Sequence, residues 1–143
     1  MTFKRVATLA LALTLPTFGI AETFEVKMLN RGAEGPMVFE PAALRIAPGD
    51  TVKFLATDRG HNAETIKDLL PDGAEPFVGK LNEEIEVTFD VEGFYAIKCE
   101  PHFAMGMVMI IAVGDSSVDA DAFLQGRIPK RAKERLEAQI AGL

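Results

Sequence analysis

Apolar and polar residues alternate in short stretches through most of the chain. Phe24, Val26 and Met28 alternate with polar neighbours, as do Leu44 and Ile46, Val52 and Phe54, then Ile85, Val87 and Phe89, and finally Tyr95, Ile97 and Cys99. Each run predicts a strand with one buried face. Turn signals separate the runs at Asn30-Arg31-Gly32, Gly35-Pro36, Ala47-Pro48-Gly49-Asp50, Pro71-Asp72-Gly73 and Glu92-Gly93. Strands cut in this way suggest an antiparallel sandwich. The segment from Val108 to Val113 is almost wholly apolar and reads as a strand covered on both faces. Beyond Gly114 the pattern changes to a helical one. Asp115 or Ser117 is placed to cap a short helix through Phe123 and Leu124. Pro129 is placed to start a second, with Ile128, Ala132, Leu136 and Ile140 forming one apolar stripe that would dock on the sandwich.

The N-terminus stands outside this pattern. Lys4 and Arg5 precede an apolar run from Val6 to Leu15, and Gly19-Ile20-Ala21 offers small residues where a signal peptidase reads. Residues 1–21 are therefore expected to be a secretory signal peptide, leaving a mature domain of residues 22–143. The run is about ten residues, short of the roughly 20 that span a bilayer, so membrane insertion is not expected. Because Lys4 and Arg5 leave and no acid does, cleavage moves the formal charge from −6 to −8. A net acidic chain without a basic run argues against nucleic-acid binding. What remains suits one domain with a real core.

Export changes the meaning of Cys99, the chain's one cysteine. It cannot form an internal disulfide, and in an oxidising compartment it needs protection by burial or by a metal. Cys99, His102 and Met107 form Cys-x-x-His-x-x-x-x-Met, and Pro101 and Gly106 allow a loop that curls these donors around one ion. His61, in Asp-Arg-Gly-His-Asn, is the other of two histidines and is available to complete the set. Two imidazoles, one thiolate and a weak axial thioether are the donors of a copper electron-transfer site. Met105, Met107 and Met109 alternate, and one of them suffices as the axial donor. A cysteine hydrolase pairing Cys99 with either histidine leaves the methionines unexplained. A structural zinc site wants four strong donors where three are present. Copper storage or delivery would use the same ligands in a more open site.

The segments Lys-Cys-Glu-Pro-His-Phe-Ala-Met-Gly-Met, Gly-His-Asn at 60–62 and Met28 to Pro41 resemble the cupredoxins, and among them the pseudoazurin group. The resemblance extends over essentially the whole mature chain. Plastocyanins share the Cys-to-His-to-Met spacing but end with the last strand, so the helical tail is similar to that of the pseudoazurins. Amicyanins have a shorter His-to-Met interval, which would select Met105. The resemblance implies an eight-stranded Greek-key β-sandwich followed by two helices. It implies one copper ion, alternating between Cu(II) and Cu(I), held by His61, Cys99, His102 and Met107, with Asn62 bracing the loop that bears Cys99. It further implies a monomeric periplasmic shuttle for single electrons, not an enzyme, whose partner is a copper nitrite reductase of denitrification. Its docking face would surround the edge of His102, with Pro101, Phe103, Pro36 and Met37 in an apolar patch. Arg31, Arg59, Lys80 and Lys98 lie in or near the surrounding loops and strand ends, which would make a basic ring on an acidic body.

Overall fold

The structure, a computed structural model, describes residues 19–143; residues 1–18, which hold most of the expected signal peptide, lie outside the described part. Among the described residues there are eight strands: β1 (Thr23–Gly32), β2 (Gly35–Glu40), β3 (Ala43–Ile46), β4 (Asp50–Leu55), β5 (Glu64–Thr65), β6 (Ile85–Phe89), β7 (Gly93–Lys98) and β8 (Val108–Val113). Two helices follow, α1 (Ala120–Phe123) and α2 (Lys130–Ala141). The strands form two four-stranded sheets, in the orders β2-β1-β4-β6 and β3-β8-β7-β5.

The sheets are mixed rather than purely antiparallel. β1 runs parallel to β4 and β3 parallel to β8, while the other neighbours are antiparallel. Between β2 and β4 the chain crosses to the second sheet for β3 and returns, so β4 falls beside β1 instead of folding back on β3. Alternation marks which face of a strand is buried but carries no information about its neighbour. Two strands also escape the pattern. β2 starts at Gly35-Pro36, where a proline is tolerated because β2 is an edge strand. β5 is two residues long and is defined only by pairing Glu64 with Lys98 and Thr65 with Ile97.

Val26, Met28, Val52, Phe54 and Phe89 of the first sheet pack against Tyr95, Ile97, Met109, Ile111 and Val113 of the second. The opposite face of β7 and β8 carries Phe94, Ala96, Val108, Ile110 and Ala112, which meet Leu124, Ala132 and Leu136. That second layer explains the unbroken apolar run of β8, all six of whose residues are buried. Leu136 has no exposed surface, and burying such a side chain contributes about 1.5–3 kcal/mol. Ile128 and Ile140 of the expected stripe pack at the edges of the same cluster. The first helix is capped by Asp119, not Asp115 or Ser117: its Oδ1 accepts from the Ala122 N–H at 2.8 Å. An N-cap side chain must lie within reach of the first free amides, and this helix begins later than its apolar residues suggest.

Candidate metal centre

β7 ends at Lys98 and delivers Cys99 to one end of the sandwich. From there the chain closes a loop on itself. The Cys99 N–H donates to Met107 O (3.0 Å), the His102 N–H to Cys99 O (3.2 Å) and the Met107 N–H back to His102 O (3.1 Å). Residues Glu100–Met105 form a 3₁₀ segment with Pro101 in its first turn, capped by Gly106, whose φ of 85° reverses the chain. A left-handed conformation favours glycine there, and β8 begins two residues later.

His61 arrives on the loop between β4 and β5 and is fully buried. Three groups from remote parts of the chain fix it. Asn30 Oδ1 lies 2.9 Å from His61 Nε2, Asn82 Oδ1 accepts from the Gly60 N–H, and the Asn82 N–H donates to His61 O. Because an amide oxygen only accepts, Nε2 carries the imidazole proton, and Nδ1 presents a bare lone pair to the interior. Neither Asn30 nor Asn82 is distinguishable in the sequence, where each is one more polar residue.

His61 Nδ1, His102 Nδ1 and Cys99 Sγ then face one another. The separations are 3.1 Å between the two nitrogens, 3.7 Å from Sγ to His61 and 3.5 Å from Sγ to His102. A triangle with these sides has a centre roughly 2.0 Å from every corner, beside metal–imidazole bonds of about 2.0–2.1 Å and metal–thiolate bonds of about 2.3 Å as zinc shows them. Two imidazole nitrogens and a sulfur converging at bonding distance from one point are the trigonal donor set of a copper site. Cys99 has no exposed surface, and Met107 is equally buried in the same cluster, whereas Met105 is 43% exposed. His102 is half-buried and alone links the triad to the surface.

Burial pushes the Cys99 thiol above its ordinary pKa, against the opposing pull of backbone N–H groups of Asn62 and His102. Burial, followed by the neighbouring His102, holds His61 below its usual range. Both effects favour the neutral forms of Cys99 and His61, so loading a metal there must release the thiol proton.

Asn62 spans the two halves of the site. Its Oδ1 accepts from the Glu100 N–H at 2.8 Å, and its Nδ2 donates to Gly79 O (3.1 Å) and Glu64 Oε2 (3.0 Å). This is the brace on the Cys99 loop that the family resemblance implied. Around the His102 end, Pro101 is exposed, and Phe103, Pro36 and Met37 are half-buried. Arg31, Arg59 and Lys80 are exposed, but Lys98 differs from them. Its Nζ contacts Glu64 (3.2 Å) and Glu100 and sits 5.0 Å above the Phe103 ring. Burial alone would lower the Lys98 pKa, yet its bonds to Glu100 and Glu64 outweigh that and raise it. Lys98 is therefore an ion-paired strut rather than a free charge.

Residues 26–114 match the family of copper-binding proteins described as the plastocyanin/azurin family. Over 135 residues the chain is 47% identical to a pseudoazurin of Paracoccus pantotrophus, covering 94% of this chain and 93% of the relative. The chain belongs to the pseudoazurins within that family. It is also 45% identical to a pseudoazurin of Methylorubrum extorquens, over 94% of this chain and 91% of the relative. The refined crystal structure of the pseudoazurin from Methylobacterium extorquens AM1 superposes with a TM-score of 0.78 at 46% identity, covering 84% of this chain and 98% of that one. Membership carries the cofactor and the activity with it: the protein holds a single type 1 copper ion and is an electron carrier, not an enzyme. Among the described residues, no helix is long and apolar enough to cross a membrane.

Proposed function

We propose that His61, Cys99, His102 and Met107 hold the copper, and that the protein carries single electrons in the periplasm to a copper nitrite reductase through the edge of His102. The observation behind this reading is the asymmetry of the triad, with two donors sealed in the core and one half-buried at the surface. Copper supplies the one-electron couple. The chain's part is to keep the donors still, which the closed Cys99–Met107 loop and the asparagine braces do, and to leave one short route out. Such a closed site is poorly suited to handing over the metal itself.

Export rests on residues 1–21 acting as a cleaved signal. Supporting it, Gly19 to Ala21 are exposed and without secondary structure, while the next residue is tied into the fold. The Glu22 N–H donates to Asp50 Oδ1 (2.8 Å), and Glu22 O accepts from the Thr51 N–H (2.9 Å). Met107 is the axial sulfur in this reading because it is buried beside Cys99 and Met105 is not. Met107→Leu is therefore expected to shift the potential and the visible spectrum with copper still bound, and Met105→Leu to leave both as they are; the reverse outcome assigns the other sulfur.

The docking face comprises Pro101, His102, Phe103, Pro36 and Met37, ringed by Arg31, Arg59 and Lys80. Lys98 stiffens its rim through Glu64 and Glu100. Against an acidic acceptor the ring steers the encounter, an effect worth on the order of 10–1,000-fold in rate that fades once salt shortens screening to about 10 Å near 0.1 M. The electron-transfer rate to a nitrite reductase should fall across a salt series. Arg59→Ala with Lys80→Ala should flatten that fall, and Lys98→Ala should change it much less. A rate indifferent to salt, or a slope that the double variant leaves intact, would remove the steering role.

A further inference from the structure

We propose that Arg135, on the C-terminal helix, is a positioning residue that sets the placement of Met107 and Met37 at the copper end of the molecule. Its Nη1 donates to Gly106 O (2.6 Å) and Met37 O (2.9 Å), and its Nη2 donates to Pro36 O (3.1 Å). One rigid guanidinium fork thus bridges the Cys99–Met107 loop and strand β2, about 70 residues apart in the chain, from a third element.

What it grips matters more than the number of bonds. Gly106 O belongs to the peptide unit whose other end is the Met107 N–H, and that N–H donates to His102 O at 3.1 Å. The plane is held at its oxygen by Arg135 and at its nitrogen by the residue that supplies one of the imidazoles, so the direction in which Met107 leaves the backbone is fixed from both sides. On β2 Arg135 holds the carbonyl of Met37, which has a φ of 51°. That conformation is uncommon for a residue with a side chain and persists only where its surroundings impose it. Met37 packs against the cluster that contains Cys99 and Met107.

Anchoring the helix does not call for this arrangement. Ala132 and Leu136 already seat α2 without any exposed surface. Among the described residues no carboxylate forms an ion pair with Arg135, so a partly buried cation is kept solvated chiefly by carbonyl dipoles. The neighbouring turn of α2 is shaped to fit: a Cβ on Gly106 would meet Arg131 Cγ at 2.9 Å and its backbone at 3.3 Å. Helix and loop are in direct contact where the last donor is delivered.

The inference rests on Met107 being the axial donor, and the test separates the two claims. The copper-loaded wild type, Arg135→Gln, Arg135→Lys, Leu136→Val and Met107→Leu are compared by reduction potential and visible spectrum, with amide exchange at Met107 followed in the copper-free proteins. Arg135→Gln should shift the one-electron equilibrium about tenfold, which is about 59 mV, and speed Met107 exchange. Arg135→Lys, which keeps the charge but not the fork, should recover part of the shift. Leu136→Val loosens the same helix without touching the clamp and should leave the equilibrium within about twofold of the wild type. If Met107→Leu shifts the potential and Arg135→Gln does not, or if Leu136→Val shifts it as far as Arg135→Gln, the positioning role is wrong. If Met107→Leu itself has no effect, the axial assignment fails and takes this inference with it.

Discussion

Replacing Cys99 with serine should yield a folded protein that stays colourless when Cu(II) is added. The intense visible band of a copper–thiolate site needs the sulfur, and serine supplies a hydroxyl that stays protonated at neutral pH. The fold has little reason to fail. The introduced hydroxyl would face the imidazole nitrogens now 3.5 and 3.7 Å from the sulfur, so it finds an acceptor, and the change should cost on the order of 1 kcal/mol. Copper affinity behaves otherwise. Losing an outer hydrogen-bond partner of a metal ligand typically costs about 10–100-fold, and losing the one anionic donor of a triad should cost more than that. Titration of copper into Cys99→Ser, followed by absorbance and by thermal unfolding of the metal-free protein, checks both halves. A band that survives the substitution would mean that some other donor governs the site.

Why the triad could be read from the sequence, and its supports could not, comes down to scarcity. A chain with one cysteine and two histidines offers few ways to assemble a soft metal site, and three of the four candidate donors sit within nine residues. Asn30, Asn82 and Arg135 belong to common residue types, and their roles arise only when the fold carries them to His61 and Gly106. The strands follow the same logic. β1, β4 and β7 have faces that alternate or fill the core, so their pattern shows. β2 lies at a sheet edge with half-buried residues leading up to Met37, and β5 is a local pairing with no period of its own. The parallel neighbours β1–β4 and β3–β8 were equally hidden, because strand order is set by which sheet each connection enters. Lys98 is the clearest case of a residue whose type misleads. As a lysine near a strand end it suggests a free docking charge, and only the placement of Glu64 and Glu100 beside it shows that its charge is largely spent within the protein.

Asn62→Ala is expected to damage the protein in a second, different way, by loosening the site without removing a donor. Two reasons for an asparagine at this position can be told apart. A left-handed backbone would be one mark of a turn role; Met37, Asp68 and Asn82 have it and Asn62 does not. Its side chain instead links the Cys99 loop, through the Glu100 N–H, to Gly79 O and Glu64. Gly79 is buried, so its carbonyl loses a partner that water does not readily replace, at about 1–3 kcal/mol. With the Glu100 amide also released, the total should be roughly 2–4 kcal/mol, a fall of roughly 5–15 °C in Tm for a domain of this size. The backbone N–H of Asn62 that faces the Cys99 sulfur is present in every variant, so any change reports the side chain. Copper affinity should drop about 10–100-fold. Asn62→Asp keeps the acceptor for Glu100 but loses the donors and sets a carboxylate beside Glu64, so it should fall between the wild type and alanine in affinity. Asn62→Ser, a good turn residue too short to span the gap, should resemble alanine. A serine variant that matches the wild type in Tm and copper affinity would show that the turn, and not the brace, is what this position supplies.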